Sequence, residues 1–183
     1  MFEELLASLD AAGVRFVVIG GVAVVIHGYA RLTAAVDLVF DLTSDNVRRA
    51  VDTLTARGLQ PMLPVNAADF ADPEIRQRWI DHSNLQVFSM VDSKNPILTV
   101  ALFPREPLPF EDLWTDATRV ELGGRTIHIA SLPHLIAMKR MSGRPQDLAD
   151  IEKLEALPLA ADPKPTADIP EDWRGDFQAA EER

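Results

Sequence analysis

The 183-residue chain contains no cysteine. That excludes disulfides and thiolate metal sites and fits a cytoplasmic setting, where thiols stay reduced. It has no apolar run of the roughly 18–20 residues that a membrane-spanning helix needs. Its first residues, MFEELLASLDAAG, carry acidic charge where a signal peptide would carry positive charge, and they read as an amphipathic helix. No internal repeat is evident. An excess of positive charge is also missing: 18 Lys and Arg face 28 Asp and Glu, for a formal net charge of −10. This argues mildly against a dedicated nucleic-acid binder, although an enzyme that touches RNA once per turnover needs only a local basic patch. Much of the deficit is local, since seven acids and three bases lie from Pro158 onward, a net of −4.

What remains is ordinary for a globular protein: 47% hydrophobic and 25% charged residues, enough for one domain with a sizeable core. The domain is placed at residues 1–157, with a Pro- and acid-rich tail at 158–183 anchored by Trp173 and Phe177.

The stretch from Phe16 to Asp41, FVVIGGVAVVIHGYARLTAAVDLVFD, organises the rest. Phe16 to Ile19 reads as a buried strand and Gly20-Gly21 as a tight turn open to close approach of a ligand. Val22 to His27 makes a short helix that Gly28 stops. A second strand begins at Ala35. Strand alternation puts Ala35, Asp37, Val39 and Asp41 on one face and Val36, Leu38 and Phe40 on the other.

Helices are also predicted over 2–12, 45–57 and 72–80, and a short one over 110–114. Arg48, Arg49, Arg57, Arg76 and Arg78 are read as solvated. Strands are predicted over 59–65 (a proline-interrupted edge), 84–91 and 97–103, with a hairpin around Gly123-Gly124 that carries a structural His128. Ser131 opens a helix through Lys139 and Arg140, and Arg144-Pro145 opens a last one bearing Asp147 and Asp150. Lys139, Arg144, Asp147 and Asp150 read plainly as a salt-bridged helix pair.

Gly20, Gly21, Ala23, His27, Gly28, Arg31, Thr33 and Asp37 resemble the signature of the DNA polymerase β-type nucleotidyltransferases, in the AbiEii-like toxin branch. Leu135, Ile136, Lys139, Arg144, Asp147 and Asp150 resemble its second block, and Phe110 to Trp114 an intervening Phe-acid-x-Leu-Trp segment. The resemblance implies an α+β nucleotidyltransferase fold, a mixed sheet of about five or six strands flanked by helices with a short C-terminal helical pair. It implies Mg²⁺-dependent transfer of a nucleoside monophosphate from an NTP, with pyrophosphate released. Carboxylates clamp the metal, and the family would place them at 35, 37 and 101, but this chain has Ala35, Asp37 and Ala101.

One Asp is too few ligands for a metal pair. Two isolated alanines in an otherwise retained pattern read as a deliberately inactivated variant, with a natural pseudo-enzyme as the other explanation. The resemblance gives Gly20, Gly21 and Thr33 to the nucleotide, Lys139 and Arg144 to its phosphates, and Asp147 to orienting those cations or acting as base. It points to RNA, especially tRNA, as acceptor and to a cognate antitoxin as partner, with no membrane involved. Two alternatives remain: a non-catalytic nucleotide- or partner-binding module, and a protein AMP-transferase.

Overall fold

The computed structural model describes residues 2–30, 32–33, 35–95 and 98–157. Arg31, Ile97 and the tail with Trp173 and Phe177 lie outside the described residues. The chain runs α1 (Phe2–Ala11), β1 (Phe16–Ile19), α2 (Gly20–Ile26), β2 (Ala35–Phe40), α3 (Ser44–Ala56) and β3 (Leu59–Pro61). A 3-10 turn (Ala67–Ala71), α4 (Pro73–Ser83), β4 (Phe88–Asp92), β5 (Thr99–Leu102) and α5 (Phe110–Thr115) follow. The hairpin β6 (Thr118–Leu122) and β7 (Arg125–Ile129) leads into α6 (Leu132–Ser142) and α7 (Pro145–Glu155).

All seven strands join one mixed sheet in the order β3-β4-β5-β2-β1-β7-β6. That is larger than the expected five or six strands. The hairpin enters through a parallel pairing of Val18 with Ile129, a long-range contact that no local pattern announces. The proline-interrupted segment adds only three residues, at the edge, where a strand tolerates proline. At the centre, β2 runs antiparallel to β1 and parallel to β5.

Apolar burial holds this sheet in place. Leu5, Leu6 and Leu9 of α1 are at most 1% exposed, and each such side chain contributes about 1.5–3 kcal/mol. Val47, Ala50, Val51 and Leu54 bury one stripe of α3. Near β4, Phe88 lies between Phe70 and Trp79, with ring centroids at 4.7 and 5.6 Å.

Several local expectations change. α4 runs on to Ser83 because Asn84 takes a left-handed conformation (φ 49°) and its N–H bonds the Trp79 carbonyl, a helix stop that shortens the next strand. Arg76, expected on a solvated face, is 5% exposed. Its guanidinium donates to the carbonyls of Phe70 and Leu42 at 2.6 and 3.0 Å, pinning α4 to the end of β2. Asn46 is buried too and bridges Arg15 N, Arg15 O and Asp41 O. Arg48 and Arg49 are exposed, as expected.

Candidate functional site

The site is built where β1 ends and β2 and β5 begin. On β2, Val36, Leu38 and Phe40 are fully buried in the core, so Ala35 and Asp37 turn to the opposite face and are half-buried. Asp37 pairs with Ile19 across β1 and with Ala101 across β5, while Ala35 pairs with Thr99. Residues paired in register point to the same face. Positions 35, 37 and 101 therefore form one cluster, with Ser89 of β4 opposite Ala101.

Gly20 sits against this cluster. Its φ is +65°, and a Cβ added there would lie 1.9 Å from Asp37 Oδ2. The close approach that glycine allows here is occupied by the Asp37 carboxylate. Gly20 and Gly21 are also the first residues of α2, so the expected turn is the first turn of the helix itself. Thr33 Oγ1 donates to the Ala35 carbonyl at 3.1 Å, bracing the entry to β2.

The second group lies on the α6–α7 hairpin. Ser131 precedes α6 with no side-chain capping bond, and Gly143 turns the chain with a φ of 64°. Lys139 Nζ, 5% exposed as a residue, contacts Asp147 Oδ1 at 3.2 Å and Asp150 Oδ2 at 2.6 Å. Arg144 grips the other side of Asp147 through Nε to Oδ2 at 2.7 Å and Nη2 to Oδ1 at 3.3 Å. Gln146 donates to Asp150 Oδ1 at 3.0 Å.

Burial by itself would raise the Asp147 carboxyl. The hydrogen bonds from Arg144, Ser142 and Lys139, with the Lys139 charge, outweigh it and hold the group well below the usual carboxylate range. The Arg144 guanidinium is raised, first by its bond to Asp147 and further by the charges of Asp147, Asp37 and Asp150. α6 packs against α2, and His27, which caps α2, contacts the Ala130 carbonyl through Nε2 at 2.7 Å. His27 is lowered, by burial first, while that bond opposes the shift.

Sequence reasoning had paired the hairpin charges but missed Ser142 and Gln146, which help hold Asp147 and Asp150. Gln146 stands four residues before Asp150, a helical neighbour spacing that carries this signal. His128 is a packing residue as read, stacked on Trp114 at a centroid distance of 3.7 Å.

The donor set tests whether a metal fits. Mg²⁺ demands near-octahedral oxygen coordination. Asp37 flanked by the methyl groups of Ala35 and Ala101 does not supply it. No group of three or more His, Asp or Glu side chains that would hold a metal exists among the described residues. As it stands, the chain does not fit a divalent metal pair. No helix among the described residues is long and apolar enough to cross a membrane.

No protein-family model matches the sequence, and no curated protein matches it either. Solved structures do match the architecture. The lincomycin-bound lincosamide antibiotic adenylyltransferase LnuA aligns with a TM-score of 0.57 at 14% identity, covering 86% of this chain and 96% of that one. The solution structure of the antibiotic-resistance factor ANT(2'')-Ia gives 0.54 at 12%, covering 98% and 92%. An antigenic nucleotidyltransferase-like protein from Paracoccidioides brasiliensis gives 0.52 at 16%, covering 97% and 85%. The fold of this chain is the nucleotidyltransferase fold.

Proposed function

We propose that this chain is a nucleotidyltransferase of the AbiEii-like toxin type, disarmed at two carboxylate positions. The observation that carries the reading is the convergence of positions 35, 37 and 101 on one face beside Gly20. Asp at 35 would stand roughly 6.6–6.8 Å from position 37 along the strand, and Asp at 101 roughly 4.8 Å away across the strand pair. Such a set suits Mg²⁺; the set in this chain does not.

In the carboxylate-restored chain, an acceptor hydroxyl oxygen attacks the α-phosphorus of an NTP. The bond from that phosphorus to the bridging oxygen breaks, pyrophosphate leaves with that oxygen and its electron pair, and the proton of the acceptor hydroxyl passes to solvent water. Gly20, Gly21 and Thr33 border the nucleotide. Asp147 is an orienting group rather than the base, because a carboxyl held so far below its usual range is a poor proton acceptor near neutral pH. The family resemblance supports RNA, especially tRNA, as the acceptor and a cognate antitoxin as partner. An NTP substrate supports a cytoplasmic setting.

The test compares this chain with Ala35→Asp/Ala101→Asp, each given Mg²⁺ and four labelled NTPs. Total tRNA, protein extract and a small antibiotic alcohol serve in turn as acceptor. Label entering tRNA only with the restored variant is the expected result. Label in protein or in the small molecule would reassign the acceptor. No transfer by either chain would overturn the enzyme reading in favour of a nucleotide- or partner-binding module, which the single carboxylate at Asp37 already favours for the chain as written.

A further inference from the structure

An open sheet ends in two edges, and the two differ here. The β3 edge is three residues long and includes Pro61, which has no N–H to offer a further strand. The β6 edge is five residues long and, among the described residues, is paired on one side only, by β7. Gly123 and Gly124 both have positive φ, 58° and 73°, as a two-residue hairpin turn requires. Such a turn makes its flanking residues, Leu122 and Arg125, a hydrogen-bonded pair. Bonded and non-bonded pairs alternate along an antiparallel ladder. Val120 and Thr118 are therefore also bonded to β7, and the N–H and C=O groups of Arg119 and Glu121 point to the open side. Side chains alternate as well: Val120 and Leu122 are buried, whereas Arg119 and Glu121 are exposed on the opposite face.

We propose that β6 pairs antiparallel with β6 of a second copy of this chain, about a two-fold axis at Val120, joining two seven-stranded sheets edge to edge. Charge selects both the partner and the register. With Val120 opposite its own counterpart, Arg119 of each copy stands opposite Glu121 of the other, so the match occurs twice. These are the residues whose backbone groups are open. Each opposed pair then exchanges both backbone hydrogen bonds and adds an ion pair on the exposed face. An axis at Arg119 or at Glu121 instead sets two like charges directly opposite, which is destabilising. An axis between residues pairs an open residue with a closed one and turns the buried face outward. Charged side chains on an edge deter a strand that does not match them; the second copy is a strand that does. This pairing is independent of the proposed function.

Sedimentation velocity of the full chain over about 1–500 µM tests it. The expected result is a reversible rise in mass with concentration, from 20.2 kDa toward twice that value. Arg119→Glu sets Glu against Glu twice, and Glu121→Arg sets Arg against Arg twice. Each variant alone should weaken self-association at least about tenfold, while its melting temperature moves little because both positions are exposed. Mixing the two variants recreates both opposed pairs and should restore the dimer. The double variant Arg119→Glu/Glu121→Arg should self-associate as this chain does. A chain that stays monomeric throughout overturns the proposal and leaves the edge to a strand of another protein. A dimer that survives both single reversals, or two folded variants that fail to pair on mixing, also overturns it, because association then does not run through these charges.

Discussion

Gly20 shows how a single residue couples backbone conformation to the site. Its positive φ and the 1.9 Å separation that a Cβ would have from Asp37 Oδ2 leave no room for a side chain. Gly20→Ala should therefore lose about 1–2 kcal/mol from the backbone strain, and more as Asp37 is driven from its place; urea denaturation measures it, and a loss below about 0.5 kcal/mol would contradict the packing. A second prediction concerns the alanines. Position 101 is 6% exposed and stands directly beside Asp37, so Ala35→Asp/Ala101→Asp crowds three carboxylates with poor hydration. Its melting temperature in EDTA should fall below that of this chain. Mg²⁺ at a hundredfold its dissociation constant should return about 2.7 kcal/mol. The chain as written should show no Mg²⁺ response in a thermal scan.

The helical hairpin is the element where charge and packing meet. Lys139 links α6 to α7 by two carboxylates, each at most 3% exposed in its side chain. Removing one partner of a buried ionic group leaves charge unpaired and costs about 3–5 kcal/mol. Lys139→Met should lose that much in denaturant unfolding, and the added substitution Asp150→Leu should recover part of it. A loss under 1 kcal/mol would mean that the cluster is hydrated and the staple unimportant. The three-residue spacings of Arg144, Asp147 and Asp150 were legible in the sequence as a helical repeat, whereas the reach of Lys139 across to α7 depends on the packing of the two helices. The burial of Arg76 and Asn46 was not legible. Their partners are carbonyls of Phe70, Leu42, Arg15 and Asp41, and two of them, Leu42 and Arg15, lie 34 and 31 residues away in the chain, where only the fold brings them near.

At the scale of the molecule, His27 joins the first half of the chain to the last by its contact with Ala130. Burial lowers its affinity for protons below that of an ordinary histidine, against the pull of that bond. Protonation therefore favours the unfolded chain. The stability that this group protects is full above about pH 6.5 and is lost as the pH falls from there toward the lower folded value, by at most about 1.4 kcal/mol per pH unit. Denaturant midpoints between pH 7.5 and 5 should show the decline. His27→Gln should reduce it, leaving the share of His128, which burial and the Arg119 charge also lower; an unchanged slope in His27→Gln would remove His27 from the account. By itself the sequence determined the local pieces: the glycine pair between β1 and α2, the alternation that sends Asp37 away from the core, and the helical spacing of the hairpin charges. Each depends on backbone periods that neighbours in the chain set. Only the tertiary structure decided that Ala101 stands beside Asp37, that the hairpin β6–β7 completes the sheet, and that Lys139 is enclosed while Arg144 stays open. Those outcomes depend on strand pairing and burial between residues distant in the chain, and no local period encodes them.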